Sequence, residues 1–491
     1  MTPQPVIDLP IIVGGRLLTA ADVAETHTLE YESGLSVRLP AVQRDHLEAV
    51  VASRPKLLAE LSRLTIHDIT TFLSKVGARW LNPSYPLRRE AEEHSSQITG
   101  YARRMITMDY NFLGYVLHQR PYVYDYFEWE LGNERAMDEW SRIKASWVRA
   151  FPQGIVHHTM VGNMTLANTF TLLWGAMTKN INLAKIPARD PSSPLALARA
   201  FLDVDADHPM SRAMTVVYWG HDSPLADYAC ESADVVFAWG GAKAIKRIKE
   251  KAPAGVPVVE FGPKWSLAVV DLDRCDPEVA AWRMAADVTF YDQEACLSPQ
   301  RLFVKGDRTK FVERLCHYLD KAAQHIPKES KNRDALAHFA MNRLEASFRG
   351  WTLHTGASWT VAEVADPAEV AEHPLGRTLF IHPVDRIEDV AGYLTTSAQT
   401  LCCEPWELGP EHRDAWAIGG VDRIVELGMS RRPQYGYAHD GMRPLSRLVR
   451  WVTLEGGVHD FYRYNDYTPE TCEDRLFPWR EAAAQERTGA R

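Results

Sequence analysis

Short apolar runs alternate with segments of helical periodicity between Gly154 and Asp271, and this alternation constrains the fold more than any other feature. The predicted strands are Ile155–Thr159, Ile181–Ala184, Met214–Trp219, Val235–Ala238, Val256–Phe261 and Leu267–Asp271. The predicted helices are Leu166–Met177, Pro194–Leu202, Asp222–Cys230 and Ala242–Lys249. Such an alternation is typical of an open α/β sheet with helices on both faces. Because ligands bind outside the carboxyl ends of the strands in these sheets, we expect the chemistry at strand ends.

A candidate nucleophile, Cys296, lies between the apolar runs Val288–Tyr291 and Leu302–Val304. The residues around it are small, polar or turn-forming, which predicts a strand, a turn that carries the thiol, and a second strand. A thiolate at a cleft attacks acyl carbons and forms an acyl-enzyme. The alternative is a buried structural cysteine, since free cysteines often behave as small hydrophobic residues.

Composition excludes several classes of protein. The chain has 491 residues, of which 46% are hydrophobic and 24% charged, which suits a globular protein of two or three domains. The net charge of −9 argues against a nucleic-acid binder. No apolar run approaches the roughly 18 residues of a membrane span, and no signal peptide is visible. The seven cysteines are scattered without zinc spacing, so we expect a reduced, cytoplasmic chain without a metal site.

Familiar catalytic and nucleotide-binding motifs are missing from the sequence. It contains no GxGxxG, GxxxxGK[ST], GxSxG or HExxH. His157 and His158 are adjacent on a predicted strand and face opposite ways, so we do not expect them to bind one metal. A separate segment, Tyr122–Trp140, is dense in aromatic residues and carboxylates. We interpret it as a helix and turn at a subunit or domain contact, with an acyl-chain channel as the alternative.

Three segments, taken in order, resemble the aldehyde dehydrogenase superfamily and especially its LuxC-type acyl-CoA reductase branch. They are the strand–Asn–helix–strand–Lys segment Val161–Pro191, the Glu-containing VVEFGPKWS at Val258–Ser266 and the nucleophile segment QEACLSPQ at Gln293–Gln300. The HDG motif at His439–Gly441, with LVRWVTLE at Leu448–Glu455, resembles the end of the C-terminal region of that branch. Each segment is short, but their order and spacing are specific. The resemblance covers roughly residues 45 to 455.

The resemblance implies a role for individual residues. Cys296 would be the nucleophile that takes the acyl group as a thioester, and the Asn163 amide would donate to the oxyanion. Glu260 would be an acid/base group across the cleft from Cys296. Lys185 would bind the adenosine ribose and phosphate of a nicotinamide cofactor. Gly240–Gly241 would let that cofactor approach the start of the following helix.

Two departures from the superfamily pattern bear on the cofactor. The glutamate that many members place three residues after the lysine is Ala188 here, and Arg189 lies beside it. A carboxylate there would repel the 2′-phosphate of NADPH, whereas Lys185 and Arg189 leave the neighbourhood cationic. We therefore expect NADPH as the cofactor. The glutamate–x–phenylalanine motif is not recognisable around Leu379–Pro383, so contacts to the nicotinamide ribose are not assigned.

The predicted fold is aldehyde dehydrogenase-like, with two α/β domains, open sheets and a C-terminal oligomerisation strand. The expected divisions are an N-terminal lead-in at 1–56, a cofactor-binding domain at 57–262, a catalytic domain with the nucleophilic cysteine at 263–440, and a C-terminal strand and tail at 441–491. As in the superfamily, the last strand would help to form a homo-oligomer.

The reaction that the resemblance implies is NADPH-dependent reduction of an acyl-CoA, or of an acyl-carrier thioester, to the aldehyde. An acyl-activating enzyme could act as its partner. Three alternatives remain open: an NAD(P)-dependent aldehyde dehydrogenase in the oxidative direction, a cysteine acyltransferase, and a scaffold that accepts acyl groups without reducing them. Acid formed from an aldehyde without coenzyme A would select the oxidative dehydrogenase. Absence of NAD(P)H binding would select the acyltransferase. Full activity of the purified protein alone would exclude the scaffold.

Overall fold

The computed structural model describes residues 5–143, 146–328, 333–370, 372–434 and 437–455. The strands are β1 Val6–Asp8, β2 Ile11–Val13, β3 Arg16–Leu18, β4 Thr26–Glu30, β5 Ser36–Pro40, β6 Ser141–Ile143, β7 Ser146–Pro152, β8 Ile155–Thr159, β9 Ile181–Lys185, β10 Met214–Val217, β11 Val235–Trp239, β12 Val258–Phe261, β13 Trp265–Asp271, β14 Pro299–Lys305, β15 Thr352–Thr355, β16 Thr360–Glu363, β17 Thr378–Pro383, β18 Ala398–Glu404, β19 Arg423–Glu426 and β20 Val449–Glu455.

The helices connect these strands and, in the first half of the chain, form a layer of their own. They are α1 Arg44–Arg63, α2 Ile66–Leu81, α3 Pro86–Thr99, α4 Arg103–His118, α5 Arg120–Leu131, α6 Thr165–Met177, α7 Ser192–Val204, α8 Pro209–Arg212, α9 Leu225–Ser232, α10 Ala242–Lys251, α11 Pro277–Thr289, α12 Thr309–His325, α13 Arg333–Phe348, α14 Leu408–Gly419 and α15 Pro444–Arg447.

The first sheet has seven strands in the order β12-β11-β8-β9-β10-β2-β3. The five strands from the edge strand β12 to β10 are parallel, and β2 joins β10 in the antiparallel direction. The chain runs from β8 through β9 to β10 and then returns to β11 and β12 on the other side of β8. Sheets of this kind bind ligands in the crevice at this reversal, outside the carboxyl ends of β8 and β11, which we call the switch crevice. The predicted lead-in thus supplies β2 and β3 to this sheet.

The second sheet also has seven strands, in the order β15-β16-β17-β14-β13-β18-β19. All of its pairings are parallel except that of β15 with β16. Register places the amino ends of β13, β14 and β18 side by side, with Ser266 opposite Pro299 and Trp265 opposite Ala398. At the cleft between the two sheets, the second sheet therefore presents the amino ends of its strands and the first sheet the carboxyl ends.

The strands of both sheets are mostly apolar along their length, as expected for parallel sheets that are covered on both faces. Every residue of β11 is buried, and in β9 Lys185 alone is partly exposed. The core of the first sheet also includes Phe290, Tyr291, Ala295 and Leu297, which surround Cys296 in the sequence. The segment that carries the thiol therefore packs against the first sheet although it belongs to the second.

The C-terminal strand β20 pairs with β7, which in turn pairs with β6, in an antiparallel three-stranded sheet. Trp147, Trp451 and Leu454 on this sheet are 42%, 47% and 55% exposed. Large apolar side chains at such exposure often mark an interaction surface. In the part of the chain that the structure describes, no helix combines the length and the apolar character needed to cross a bilayer.

Candidate active site

The nucleophile lies in a loop that the sequence predicted incorrectly. Val288 and Thr289 end α11 rather than forming a strand, and a 3-10 turn, Phe290–Gln293, leads to Cys296. The second predicted run lies in β14, as expected. The first apolar run resembled a strand because a short buried run of this length does not reveal its own period.

Three consecutive residues of this loop adopt left-handed backbone conformations. Tyr291, Asp292 and Gln293 have φ values of 52°, 50° and 62°. For residues other than glycine this conformation costs on the order of 1–3 kcal/mol each, and it persists only where the surroundings enforce it. The backbone is thus strained directly before the nucleophile. We call residues 290–298, between α11 and β14, the nucleophile loop.

Buried polar contacts enforce the loop conformation. The Asp292 carboxylate accepts from Arg377 Nε at 2.7 Å, and both side chains are almost fully buried. The Tyr291 hydroxyl donates to Asp109 Oδ1 at 2.7 Å, and Gln293 Nε2 donates to the Pro299 carbonyl at 2.9 Å. Each of the three left-handed residues is therefore fixed by its own side chain.

The Cys296 thiol lines a cleft of about 400 Å³ between the two sheets. Gln399 Nε2 donates to its Sγ at 3.1 Å, and the Ser266 hydroxyl donates to its carbonyl oxygen at 2.6 Å. Burial raises the pKa of the Cys296 thiol to about 12, the Asp440 carboxylate acts in the same direction, and the Gln399 hydrogen bond opposes them. At neutral pH the resting thiol is protonated. Among the described cysteines, Cys296 alone lines this cleft.

Asn163 follows β8 and lines the same cleft. Its side-chain Nδ2 donates to the Glu294 carbonyl oxygen at 2.8 Å, two residues before the thiol. A carboxamide carries two N–H donors, so one remains for a ligand. Asn163 thus joins the switch crevice of the first sheet to the nucleophile loop.

Arg189 is brought to the nucleophile rather than left free for a phosphate. Its Nη2 lies 2.7 Å from Glu294 Oε2, and the Tyr101 hydroxyl lies 2.9 Å from the same oxygen. Gly162 makes room for this arrangement, since a Cβ at that position would lie 2.2 Å from the Arg189 Cβ. The predicted contact of Arg189 with a 2′-phosphate therefore competes with an ion pair that ties β9 to the nucleophile loop.

Glu260 is not placed across the cleft from Cys296. Along β12, Val259 and Phe261 are buried while Glu260 points the other way, and its carboxylate lies 2.6 Å from Lys249 Nζ. Phe261 takes the cleft side because its ring stacks on Trp239, with 4.0 Å between centroids. Alternation along the strand then directs Glu260 outward.

The remaining predicted cofactor residues surround the switch crevice. Gly240 and Gly241 line the cleft, and Gly241 precedes the first turn of α10, whose free N–H groups suit an anion. Nothing lies within 4 Å of the place where a Gly241 Cβ would stand. Lys185, at the end of β9, is not among the residues that line the cleft. Burial lowers its pKa to about 8, and its Nζ lies 5.3 Å from the centre of the Tyr218 ring.

An apolar cavity lies next to the cleft and is lined by Leu297, the residue after the nucleophile. Aromatic and aliphatic side chains line it almost entirely, among them Phe112, Tyr126, Met164, Phe170, Trp174 and Leu297. Trp239 and His439 line both this cavity and the cleft. Tyr126 belongs to the aromatic segment that we interpreted as a subunit or domain contact, so part of that segment instead faces an internal cavity.

Gln399 and Asp440 are the site residues that sequence reasoning missed. Gln399 lies on β18, 103 residues from the thiol that it contacts, and its surroundings carry no motif. Asp440 lies in the HDG motif, which the resemblance marked without giving it a role. No group of three or more side chains suited to a metal ion occurs in the described ranges.

Two facing α/β sheets with a thiol at their junction define an aldehyde dehydrogenase-like fold, and solved structures agree. The NADP-dependent glyceraldehyde-3-phosphate dehydrogenase of Bacillus halodurans, solved with NADP, matches with a TM-score of 0.69 at 16% identity, over 91% of this chain and 99% of its own. Lactaldehyde dehydrogenase from Escherichia coli gives 0.71 at 14% identity, over 92% and 99%. These similarities confirm the predicted fold.

Sequence comparison identifies the branch. The family model described as acyl-CoA reductase (LuxC) matches residues 61–451. The long-chain acyl-protein thioester reductase of Vibrio harveyi is 35% identical over 453 residues, which cover 91% of this chain and 93% of the relative. The protein of the same name from Photorhabdus luminescens is 36% identical over 447 residues, 90% of this chain and 91% of the relative. The chain belongs to the LuxC family of acyl-CoA reductases and is an aldehyde-forming oxidoreductase, as the resemblance predicted.

Proposed function

We propose that this enzyme reduces a long-chain acyl thioester to the aldehyde through a thioester on Cys296, with NADPH as the reductant. The acyl donor would be coenzyme A or a carrier protein, which an acyl-activating partner enzyme could load. The observation that carries the proposal is the position of the thiol, which lines the cleft at the switch crevice of the first sheet while the next residue, Leu297, lines the apolar cavity.

The apolar cavity supports a long acyl chain as the substrate. Its lining is almost free of polar surface, and Leu297, the residue next to the nucleophile, is part of its wall. The cavity encloses about 50 Å³. The first carbons of an acyl chain held on Cys296 as a thioester would be buried there, each methylene group worth about 0.8 kcal/mol. The names of the curated relatives, which are long-chain reductases, agree with this substrate class.

The residues of the switch crevice fit a nicotinamide dinucleotide. The amino end of α10 and the open space at Gly241 suit a pyrophosphate. Lys185, a partly buried cation for which no carboxylate within ion-pair distance is seen in the described part of the chain, suits an adenosine ribose or its 2′-phosphate. When bound, the cofactor would supply the two electrons that convert the acyl group to an aldehyde.

The chain's own residues would organise the reacting carbon. Cys296 Sγ would displace the donor thiol, and the free N–H of Asn163 would bind the carbonyl oxygen as negative charge develops on it. Burial excludes water from the thioester, which favours transfer to the reductant over hydrolysis. Glu260 has no part in this scheme, because its carboxylate is paired with Lys249 away from the cleft.

The test is to separate the two half-reactions. Without cofactor, a long-chain acyl-CoA should leave a hydroxylamine-sensitive adduct on Cys296, and NADPH should then release aldehyde. Cys296→Ala should carry no adduct, whereas Cys316→Ala, which removes a thiol outside the cleft, should behave as wild type. An adduct that persists in Cys296→Ala would refute the assignment. Acid rather than aldehyde as the product would favour the oxidative alternative, and an adduct that NADPH never releases would favour the acyltransferase.

We also propose that the exposed face of the β20–β7 sheet forms a homo-oligomer. The supporting observation is the directly opposed pair of exposed apolar side chains Trp147 and Leu454, which share one face of this sheet. Sedimentation of wild type against Leu454→Glu measures this directly. A wild-type monomer at micromolar concentration would contradict it.

A further inference from the structure

The partly buried thiol raises a chemical problem that the residues predicted from the sequence do not solve. Cys296 must carry negative charge when it attacks the thioester and again when the aldehyde leaves. Burial and the Asp440 carboxylate both oppose that charge. The backbone N–H groups of Cys296 and Leu297 favour the charge, and so does one side chain, the buried Gln399, whose amide Nε2 lies 3.1 Å from Sγ.

The orientation of the Gln399 amide is set by its second partner. Nε2 also donates to Asp440 Oδ1 in a short hydrogen bond. An ionised carboxylate only accepts hydrogen bonds, so it selects the nitrogen of the amide rather than the oxygen. The second N–H of the same nitrogen is then directed at Cys296 Sγ.

This orientation has a cost. It leaves Gln399 Oε1 buried, without a hydrogen-bond partner among the described residues. Buried polar atoms are almost always paired, and an exception calls for an explanation. The hydrogen bond to Asp440 supplies it, and the same orientation places an N–H at the sulfur.

Asp440 itself adopts a strained backbone conformation. Its φ is 49°, a left-handed value for a residue other than glycine, and Gly441 follows with a φ of 72°. A Cβ at Gly441 would lie 2.8 Å from Asp422 Oδ1, and that carboxylate pairs with Lys264 at 2.7 Å. A bridge between His439 and Met442 closes the turn. Strained, over-determined positions of this kind cluster at active sites.

We propose that Gln399 is a further catalytic residue, whose N–H stabilises the Cys296 thiolate, and that Asp440 is a positioning residue that orients the Gln399 amide. The proposal rests on the proposed function, since it concerns the same reaction. In acylation the Sγ–carbon bond forms, the donor's carbon–sulfur bond breaks, and the thiol proton leaves with the donor. In aldehyde release the Sγ–carbon bond breaks and its electron pair returns to Sγ. Gln399 donates to the same sulfur in both steps.

Other charged or titratable groups surround the thiol and must be held constant in any test. Those beside Cys296 are Glu294, Asp440, His439, Arg423 and Tyr437, and those across the cleft are Arg189 and Lys264. A substitution at Gln399 replaces none of them, but it removes the hydrogen bond that Asp440 accepts from Gln399.

The first measurement is the alkylation rate of Cys296 by iodoacetamide at fixed pH, read by mass spectrometry of the peptide that contains it. Gln399→Met keeps the length of the side chain and removes the donor. A hydrogen bond to a thiolate lowers the thiol pKa by about one to two pH units. The alkylation rate below the thiol pKa should therefore fall by about tenfold or more, and the burst of coenzyme A released from an acyl-CoA should slow in proportion.

Two variants keep this result interpretable. Gln153→Met is the matched control, because Gln153 Nε2 also donates a hydrogen bond, to the Val449 carbonyl at 3.1 Å, but far from the thiol. It should alkylate at the wild-type rate. Gln399→Glu, isosteric with glutamine, places a carboxylate next to the sulfur and should slow alkylation further. Wild-type alkylation in both Gln399 variants would overturn the catalytic role.

The positioning role of Asp440 is tested by a double-mutant cycle. In an Asp440→Asn background the amide is no longer oriented, so Gln399→Met should slow alkylation by less than half of its effect, on a logarithmic scale, in wild type. Additive effects would remove Asp440 from the mechanism. Alkylation needs neither acyl donor nor reductant, so an enzyme that fails to reduce acyl-CoA would refute the proposed function while the alkylation rates still decide the role of Gln399.

Discussion

The two sides of the cleft differ in how much open space and how many unpaired polar groups they leave for a ligand. On the first sheet, Gly241 leaves open space at the start of α10, and Lys185, which lies outside the cleft lining, is a cation without a carboxylate beside it among the described residues. On the second sheet, the loop before Cys296 is made of larger residues in left-handed conformations, each fixed by a buried contact. The first side therefore keeps N–H groups and a cation that a ligand can bind, whereas the polar side chains of the loop before Cys296 are already paired within the protein.

The largest effect on this difference is expected when the buried ion pair that holds the nucleophile loop is removed. Arg377→Met leaves the Asp292 carboxylate buried without its partner, and the free energy of unfolding should fall by about 3–5 kcal/mol. Urea denaturation measures it. Arg44→Met is the control, because the Arg44–Glu48 pair is 66% and 53% exposed and should change stability by less than about 0.5 kcal/mol.

Adding Asp292→Asn to Arg377→Met should restore part of the lost stability. The asparagine removes the unpaired charge and tolerates a left-handed backbone. If Arg377→Met unfolded like Arg44→Met, the buried pair would not be what holds the loop.

The second prediction concerns the bridge between the two sides. Arg189→Ala breaks the ion pair with Glu294, so kcat should fall on the order of tenfold to a hundredfold through misplacement of the thiol. The preference for NADPH over NADH should survive, because the structure engages Arg189 with Glu294 rather than leaving it for a 2′-phosphate.

Arg199→Ala is the matched control for that variant. It breaks a comparable pair, with Glu90 at 2.6 Å, away from the cleft, and kcat should stay at its wild-type value. A loss of NADPH preference in Arg189→Ala would return Arg189 to the cofactor site.

The contrast also explains what the sequence could predict. Alternating strands and helices were visible because strands such as β11 are buried along their whole length and form unbroken apolar runs in the sequence. Cys296 and Asn163 were found through their segments, and the structure places both in the cleft. The direction of Glu260 was not predictable, because the stacking of Phe261 on Trp239 decides which face of β12 meets the cleft.

Contacts between distant parts of the chain were the other gap. Gln399 and Cys296 are 103 residues apart, and Arg189 and Glu294 are 105 apart. No local pattern marks such pairs, since packing of the two sheets creates them. The strain at Tyr291 is equally invisible, because it depends on Asp109 from a helix in the first half of the chain.

The third prediction compares two adjacent glycines on the first-sheet side of the cleft. Gly241 has a φ of −72° and free space where a Cβ would stand, so Gly241→Ala should leave stability within about 0.5 kcal/mol of wild type. The added methyl group would obstruct the cofactor, and the Kd for NADPH should rise roughly tenfold, equivalent to about 1.4 kcal/mol. Gly240→Ala should instead lose stability, by about 1–3 kcal/mol, because its φ of 150° disfavours a side chain. Equal effects of both variants on Kd and on stability would contradict the division.

The smallest effect expected is a pH dependence of cofactor binding that originates in Lys185. Its pKa is lowered to about 8 by burial, so its charge is present below pH 8 and is lost as the pH rises through that value. A lysine with this pKa is about nine-tenths protonated at pH 7 and about one-tenth at pH 9. The Kd for NADPH, measured by fluorescence without substrate, should therefore rise up to about ninefold between these two pH values. NADH, which lacks the 2′-phosphate, should show a weaker slope. Lys185→Arg should flatten both profiles, because a guanidinium keeps its proton throughout the range. A wild-type profile that is already flat would mean that Lys185 does not face the cofactor, and the cationic side of the crevice would then have to be sought elsewhere.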